Sequence, residues 1–90
     1  MRWDATPDAN QAEIVAGLEQ CYCSVVLLHR VGGGIPDILV GRNKCNWLME
    51  VKTPKGKLNA LQREFHSSWR GQISVVRNLD EALSVINGKT

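Results

Sequence analysis

The sequence predicts an α/β domain in which helices flank a mixed four-stranded sheet, with the element order α-β-β-β-α-β-α. Three strand-like segments follow one another between residues 24 and 53 and are separated only by short turns. An amphipathic helix pattern then precedes a fourth apolar segment at residues 73–77. A strand meander followed by a helical crossover predicts antiparallel pairs and one parallel pair in the same sheet.

Length and composition predict one domain, residues 1–90. A chain of 90 residues buries a modest core, so a dimer interface would supply useful further burial. The net charge of +2 does not by itself indicate a nucleic-acid partner, which leaves that question to local clusters of charge. The longest wholly apolar run, residues 25–28, is too short to cross a membrane, and no signal pattern follows Met1. We therefore expect a cytoplasmic protein.

The first helix is predicted from Pro7 to about Gln20. Thr6 supplies a capping hydroxyl, Pro7 suits the first turn, and Asp8 adds an early acidic group. The residues that recur at a helical period and are expected to face the core are Ile14, Leu18 and Cys21.

Three strands are predicted next, at residues 24–30, 36–42 and 45–53. Val and Leu dominate the first, and the glycine run 32–34 ends it. The turn 43–44 separates the second from the third, and Pro and Gly within residues 54–57 form a loop.

An amphipathic helix is predicted after this loop. Leu58, Leu61, Phe65 and Trp69 recur at spacings of three and four, which predicts that Trp69 lies in the core, and Gly71 ends the helix.

The last two elements are a short strand at residues 73–77 and a helix that ends at Gly88. Asn78 and Glu81 have the spacing of a capping box. The core face of this helix is predicted to contain Leu79, Ala82, Leu83 and Ile86.

The predicted hairpin at residues 35–52 is the most informative segment. A two-residue turn at 43–44 pairs Arg42 with Cys45, and counting outward from that pair puts Asp37 opposite Glu50. Residues opposite each other have Cβ atoms about 4.5–5.5 Å apart. Two facing carboxylates repel each other, but a divalent cation such as Mg²⁺ between them would turn the repulsion into coordination.

Alternation along the third strand puts Lys52 on the same face as Glu50, where its ammonium group could orient a water molecule or a phosphate. The opposite face, expected to pack under a helix, carries Trp47, Met49 and Val51. The alternative interpretation is a solvated Glu-x-Lys ion pair beside a Pro-Asp turn, and the residue types alone leave both interpretations open.

These residues also match a known family. Gly-Ile-Pro-Asp at residues 34–37, twelve intervening residues and Glu-Val-Lys at residues 50–52 resemble the signature of the PD-(D/E)XK nuclease superfamily. The continuation 53–58, with Gln62 on the following helix, resembles the VRR-NUC family, and the resemblance extends from Glu13 to about Gly88. The Val-Arg-Arg stretch behind that family's name is absent, and residues 31–33 occupy the nearest comparable position.

The resemblance implies a restriction-endonuclease-like fold and hydrolysis of DNA phosphodiester bonds with Mg²⁺ or Mn²⁺. It implies Asp37, Glu50 and the carbonyl of Val51 as metal ligands and Lys52 as the catalytic lysine. A 90-residue chain that begins with Met1 resembles the stand-alone members from phages and bacteria, which form homodimers and cut four-way junctions. For a phage-encoded chain, the expected location is the host cytoplasm.

The resemblance also implies roles for Gln62, as a further catalytic residue, and for Glu13, as a metal ligand through water. The alternative for Gln62 is a surface glutamine. The alternative for Glu13 is a capping box with Asn10, which has the right spacing.

Basic residues near the Glu-x-Lys strand are candidates for binding DNA phosphates. Lys55, Lys57 and Arg63 lie just beyond the strand, and Arg42 and Lys44 lie at the hairpin tip. A solvated basic loop and an ordinary charged turn are the alternatives.

The three cysteines, Cys21, Cys23 and Cys45, are expected to be buried free thiols. A zinc site that combines them with His29 or His66 is disfavoured, because no standard ligand spacing is present. Trp3 is a candidate for an interface.

Three functions compete on these grounds. The first is a metal-dependent endonuclease that cuts branched DNA as a homodimer. The second is a nuclease that acts on linear DNA or RNA, and the third is a non-catalytic nucleic-acid-binding module on the same fold. No catalytic residue is missing, which favours an enzyme.

Overall fold

The computed structural model describes residues 7–88, and the prediction for Trp3 lies outside this range. Its elements follow the predicted order α-β-β-β-α-β-α. They are α1 (Pro7–Gln20), β1 (Ser24–Leu27), β2 (Ile38–Arg42), β3 (Cys45–Val51), α2 (Ala60–Ser68), β4 (Ile73–Val76) and α3 (Leu79–Ile86).

The sheet has the strand order β1-β2-β3-β4, in which neighbouring strands along the chain are also neighbours in space. The pairs β1–β2 and β2–β3 are antiparallel, whereas β3–β4 is parallel. The parallel pair requires the long crossover that α2 provides, since a tight turn can join only antiparallel strands. The predicted mixed sheet is therefore confirmed.

The hydrophobic core lies between one face of the sheet and the helices α1 and α3. Ile14 and Leu18 of α1 are fully buried, as their spacing predicted. The predicted inward face of β3 is also confirmed, and its members, each at most 8% exposed, are Trp47, Met49 and Val51.

The other face of the sheet carries α2, which contains no buried residue. The prediction that Trp69 lies in the core is wrong, since its side chain is 46% exposed. The helix ends at Ser68, and the extended backbone of Trp69 (φ −73°, ψ 130°) takes its side chain out of the helical stripe. Trp69 instead stacks on Phe65, with 5.4 Å between the ring centroids.

Several element ends differ from the predictions. β1 ends at Leu27 instead of residue 30, because turns begin at residue 29. The helix α2 begins at Ala60 instead of residue 58, because Asn59 is its N-cap. At α3, the Asn78 side chain accepts from Glu81 N as a capping box requires, but Glu81 Oε1 accepts from Arg77 N, so only half of the box forms.

The loop between β1 and β2 is fixed against α2 by a glycine. Gly34 has φ +81°, and a Cβ built on it would lie 2.4 Å from the carbonyl oxygen of Leu61. Only glycine fits both the backbone conformation and this close approach. The loop that leads to Asp37 is therefore held beside the first turn of α2.

Among the described helices, none is both long and apolar enough to cross a membrane.

Candidate metal centre on the β2–β3 hairpin

The β2–β3 hairpin has the register that the sequence predicted. Arg42 pairs with Cys45 across the two-residue turn, and Ile38 pairs with Met49 at the other end. Both turn residues have positive φ (53° and 67°), the conformation of a turn whose twist matches that of the strands. Extending the pairing by one residue beyond Ile38 places Asp37 opposite Glu50.

Pro36 and Asp37 end the strand ladder in an unusual way. The same register places Pro36 opposite Val51, and proline has no N–H to donate to the Val51 carbonyl. The N–H of Val51 donates instead to Oδ2 of Asp37 at 2.8 Å. The N–H and C=O groups of one strand residue point toward the same neighbouring strand. Because the Val51 N–H points toward Asp37, the Val51 carbonyl points toward that side of β3 as well.

Glu50 is a buried carboxyl group, only 2% exposed, on the α2 side of the sheet. Burial raises its pKa to about 8, together with a hydrogen bond to Asp37 and the charge of Asp37, while Lys52 lowers the pKa only in part. Its Oε1 atom is buried and has no hydrogen-bond partner among the described residues. An unpartnered buried oxygen beside a second carboxyl group is a donor that a divalent cation would satisfy.

Lys52 and Gln62 complete the surroundings of Glu50. The ammonium nitrogen of Lys52 lies 3.9 Å from Glu50 Oε2, and its side chain is 19% exposed. Gln62 Nε2 donates to the same Oε2 atom at 3.2 Å, so Gln62 points toward the sheet rather than into solvent. The structure therefore brings together Asp37, Glu50, Val51, Lys52 and Gln62.

These residues line an open cleft of about 300 Å³ together with Thr53, Gly56 and Lys57. Two carboxyl groups and one main-chain carbonyl form an all-oxygen donor set, which suits Mg²⁺ or Mn²⁺ completed by water. Among the described residues, no three side chains of His, Cys, Asp or Glu gather into a larger metal cluster. The residues present thus fit an ion held by a small number of protein ligands.

The structure does not bring Glu13 into this cleft. The Glu13 side chain is exposed on α1 and forms no hydrogen bond or ion pair with a described residue. Its capping-box alternative is wrong, because α1 begins at Pro7 and Asn10 lies inside the helix. Glu13 remains a predicted water-mediated ligand only.

The predicted DNA-binding residues divide into two groups. Lys57 lines the cleft, Lys55 is exposed on the adjoining loop, and Arg63 donates to the Leu58 carbonyl at 2.8 Å. Arg42 and Lys44 lie at the far end of the hairpin, about 17 Å along the strand from Glu50 at 3.3–3.4 Å per residue.

Two further residues near the centre were missed in the sequence. Asn10 is a buried polar residue whose amide reaches the Lys52 carbonyl. His66 has a buried Nε2 atom without a partner among the described residues, and burial lowers its pKa, as does the charge of Lys52. One turn of helix separates His66 from Gln62, so their shared face was readable from spacing, whereas nothing local indicated the long-range partner of Asn10.

The cysteines are free, but only Cys23 is buried; Cys21 is half-buried and Cys45 is exposed. The prediction that all three are buried is therefore correct for Cys23, met only in part by Cys21, and wrong for Cys45, the first residue of β3 beside the hairpin turn.

A larger cavity of about 600 Å³ lies between α1 and β1, away from the carboxyl pair. Its lining includes Asp8, Glu19, His29 and Arg30 on open surfaces. The smaller cleft is the candidate functional site, because it contains the facing carboxyl groups and the strongly raised pKa of Glu50.

The fold has a known counterpart. The chain is similar to a solved structure described as a VRR_NUC domain, with a TM-score of 0.72 and 21% sequence identity over 93% of this chain and 97% of that chain. The chain therefore has the VRR_NUC fold, which is restriction-endonuclease-like, as the sequence resemblance implied. No protein-family model matches the chain. No curated protein matches it significantly.

Proposed function

We propose that this protein, which has the fold of a VRR_NUC domain, is a metal-dependent endonuclease that hydrolyses phosphodiester bonds in DNA. The observation that supports this most strongly is the pairing of the Asp37 and Glu50 carboxyl groups across adjacent strands, with the Lys52 ammonium 3.9 Å from Glu50. Buried carboxyl groups that repel each other are costly, and binding of a cation offsets that cost.

Asp37, Glu50 and the carbonyl of Val51 would hold Mg²⁺ or Mn²⁺. The ion would supply a Lewis acid for the scissile phosphate and lower the pKa of water. Gln62 keeps the Glu50 carboxylate in place through its hydrogen bond to Oε2. Lys52 carries a compact positive charge that can hold a phosphoryl oxygen or orient the attacking water.

The DNA backbone would follow the basic loop beside the cleft. Lys57 lines the cleft and Lys55 is exposed next to it, so both can neutralise phosphates. Arg63 retains N–H groups beyond the one that donates to Leu58. Arg42 and Lys44 would contact a more distant part of a long or branched substrate.

A homodimer acting on branched DNA is the finer part of the proposal. Several apolar side chains are exposed on the α2 side of the sheet, namely Val26 (53%), Leu61 (58%) and Trp69 (46%). Such a surface suits burial against a second copy, and two-fold symmetry would give two cuts in one junction. Sedimentation of the wild type and of Trp69→Ser should give a dimer for the first and a monomer for the second.

The proposed single-domain organisation, residues 1–90, and a cytoplasmic location accompany this function. Free thiols at all three cysteines are compatible with a reducing compartment.

A cleavage panel tests the proposal. Labelled four-way junction, flap and linear duplex DNA and an RNA duplex are each incubated with the protein and Mg²⁺ or Mn²⁺. We expect the junction to be cut, expect Asp37→Asn to abolish cutting, and expect Lys52→Ala to reduce it to a slow residual rate that excess enzyme still reveals, while Glu19→Gln, an exposed carboxyl change on α1, retains it. Preference for linear DNA or RNA would redirect the substrate assignment. Binding of DNA without cleavage of any substrate would favour a non-catalytic module instead.

A further inference from the structure

Asn10 is a polar residue in an otherwise apolar row of α1. It precedes the fully buried Ile14 by one turn and Leu18 by two turns, and it is itself only 6% exposed. A buried amide without partners costs free energy, so a residue of this type persists where its hydrogen bonds are satisfied. The partners of Asn10 therefore indicate what it does.

The Asn10 amide nitrogen donates to two main-chain carbonyls at the same end of the sheet. Nδ2 donates to Lys52 O at 3.0 Å and to Arg77 O at 3.2 Å. Lys52 is the first residue after β3 and Arg77 the first after β4. Asn10 thus joins the parallel strands just beyond the point at which their ladder ends.

Both main-chain polar groups of Lys52, its N–H and its carbonyl, form hydrogen bonds. Its N–H donates to Val76 O at 3.0 Å, and its carbonyl accepts from Asn10. The following residue, Thr53, accepts through its carbonyl from Arg77 Nη1 at 3.4 Å. Without Asn10, the Lys52 carbonyl would lose its side-chain donor, and the Lys52 main chain would keep only the bond from its N–H to Val76 O.

The position of the Lys52 ammonium depends on this anchorage. A lysine side chain rotates freely about four bonds, so its charged end can be placed accurately only if its Cα is fixed and its stem is packed. A displacement of about 1 Å at a reacting group can reduce a rate by roughly a hundredfold.

We propose that Asn10 is a positioning residue for Lys52: the Asn10 amide fixes the Lys52 main chain at the end of β3 so that the ammonium group stays beside Glu50. Asn10 contacts neither the cleft nor any substrate phosphate in this proposal and acts only through Lys52. The inference rests on the proposed nuclease function for its kinetic consequence, although the anchorage itself does not.

The kinetic test is a double-mutant cycle with Asn10→Ala, Lys52→Ala and the double variant, measured under single-turnover conditions with Mn²⁺ on the DNA that the wild type cuts. We expect Asn10→Ala to lower the maximal single-turnover rate by about 10- to 100-fold, with the half-saturating enzyme concentration changed less than about twofold. In the Lys52→Ala background, the same change should cost less than about twofold. Equal losses in both backgrounds would show a general structural effect and overturn the proposal.

Gln72→Ala is the matched control for loss of a side-chain amide. Gln72 Nε2 donates to the Asn46 carbonyl at 2.7 Å, also toward strand backbone but remote from the cleft, so its loss should leave kcat unchanged. Asn10→Asp is the second variant, because it preserves the side-chain shape and removes both donors. Circular dichroism of each variant establishes that it folds.

Amide hydrogen exchange by NMR tests the anchorage without catalysis. In Asn10→Ala, the Lys52 amide should exchange at least about tenfold faster, while the amides of Val40 and Met49 in the hairpin should not change. Unchanged exchange at Lys52 would overturn the proposal whatever the activity. If the wild type cuts nothing, the nuclease proposal fails, and the exchange result still decides whether Asn10 holds Lys52.

Discussion

The side-chain amide of Gln62 joins two structural tasks by donating to Glu50 Oε2 at 3.2 Å while its own oxygen accepts from Asn59 N at 2.9 Å. The second bond belongs to a complete capping box, in which Asn59 Oδ1 also accepts from Gln62 N. The start of α2 and the orientation of a buried carboxyl group are therefore determined by the same residue. Loss of Gln62 should affect stability and activity, whereas loss of Asn59 should affect stability alone.

Gln62→Ala should lower the free energy of unfolding by about 1–2 kcal/mol, because it removes half of the capping box and a hydrogen bond to a carboxyl group. It should also lower kcat by roughly tenfold. Asn59→Ala, which removes a cap bond and leaves Glu50 untouched, should cost about 1 kcal/mol and leave kcat within about twofold. Urea unfolding and DNA cleavage measure the two effects. Equal kcat for the two variants would contradict a role for Gln62 at Glu50.

Glu50→Gln should alter the pH dependence of stability of the metal-free protein. The pKa of Glu50 is raised to about 8 in the folded state from its ordinary value of 4.5, so the folded protein holds a proton that the unfolded chain releases. The stability associated with this proton is fully present below about pH 4.5 and is lost as pH rises through about 8. At pH 9, Glu50→Gln should be more stable than the wild type by about 1–3 kcal/mol.

Thermal unfolding between pH 5 and 9 in the presence of a chelator measures this difference. Glu19→Gln, at an exposed position on α1, is the control and should follow the wild-type curve at every pH. Parallel curves for the wild type and Glu50→Gln would refute the buried, protonated carboxyl.

Addition of Mn²⁺ should make the wild type more stable than Glu50→Gln, the reverse of the order expected at pH 9 without metal. A cation binds the ionised carboxylates of the folded state and should raise the wild-type stability by about 2.7 kcal/mol at a concentration of 100 times Kd. Asp37→Asn and Glu50→Gln should gain much less. Because the ion must displace the proton on Glu50, its affinity should increase as pH rises toward 8. Calorimetry at pH 6.5 and 8 checks this, and a pH-independent affinity would speak against Glu50 as a ligand.

Gly34→Ala should be markedly more damaging than Gly33→Ala. Both glycines have positive φ, but only at Gly34 would the added Cβ meet backbone, 2.4 Å from the Leu61 carbonyl oxygen, whereas at Gly33 nothing lies within 4 Å. We expect a loss of about 1 kcal/mol for Gly33→Ala from backbone strain alone, and about 3 kcal/mol or more for Gly34→Ala. Urea unfolding of the pair decides the point. Similar losses would mean that the loop does not contact α2 closely.

The register of the hairpin was predictable from the sequence because its determinants are local. A two-residue turn at Asn43 and Lys44 fixes the register, and the register alone carries Asp37 to Glu50. Alternation along β3 likewise separated Met49, in the core, from Glu50, in the cleft.

Long-range and terminal contacts were not predictable in the same way. The bond from Asn10 to Lys52 spans 42 residues, and its helix gave no sign of which strand end it would meet. Trp69 fits the apolar stripe of α2 by spacing, but the helix ends one residue too early to bury it. The sequence pattern records which residues are apolar, whereas the exact end of a helix depends on packing that the pattern does not contain.

The proline before Asp37 determines how far the two strands can close. Any other residue at position 36 would offer an N–H to the Val51 carbonyl, and the antiparallel pairing could continue past Glu50. Because Pro36 has no N–H, the regular pairing ends at Ile38 and Met49. The ladder between the two central strands therefore ends beside the cleft, and the Val51 carbonyl is left without a main-chain donor from position 36.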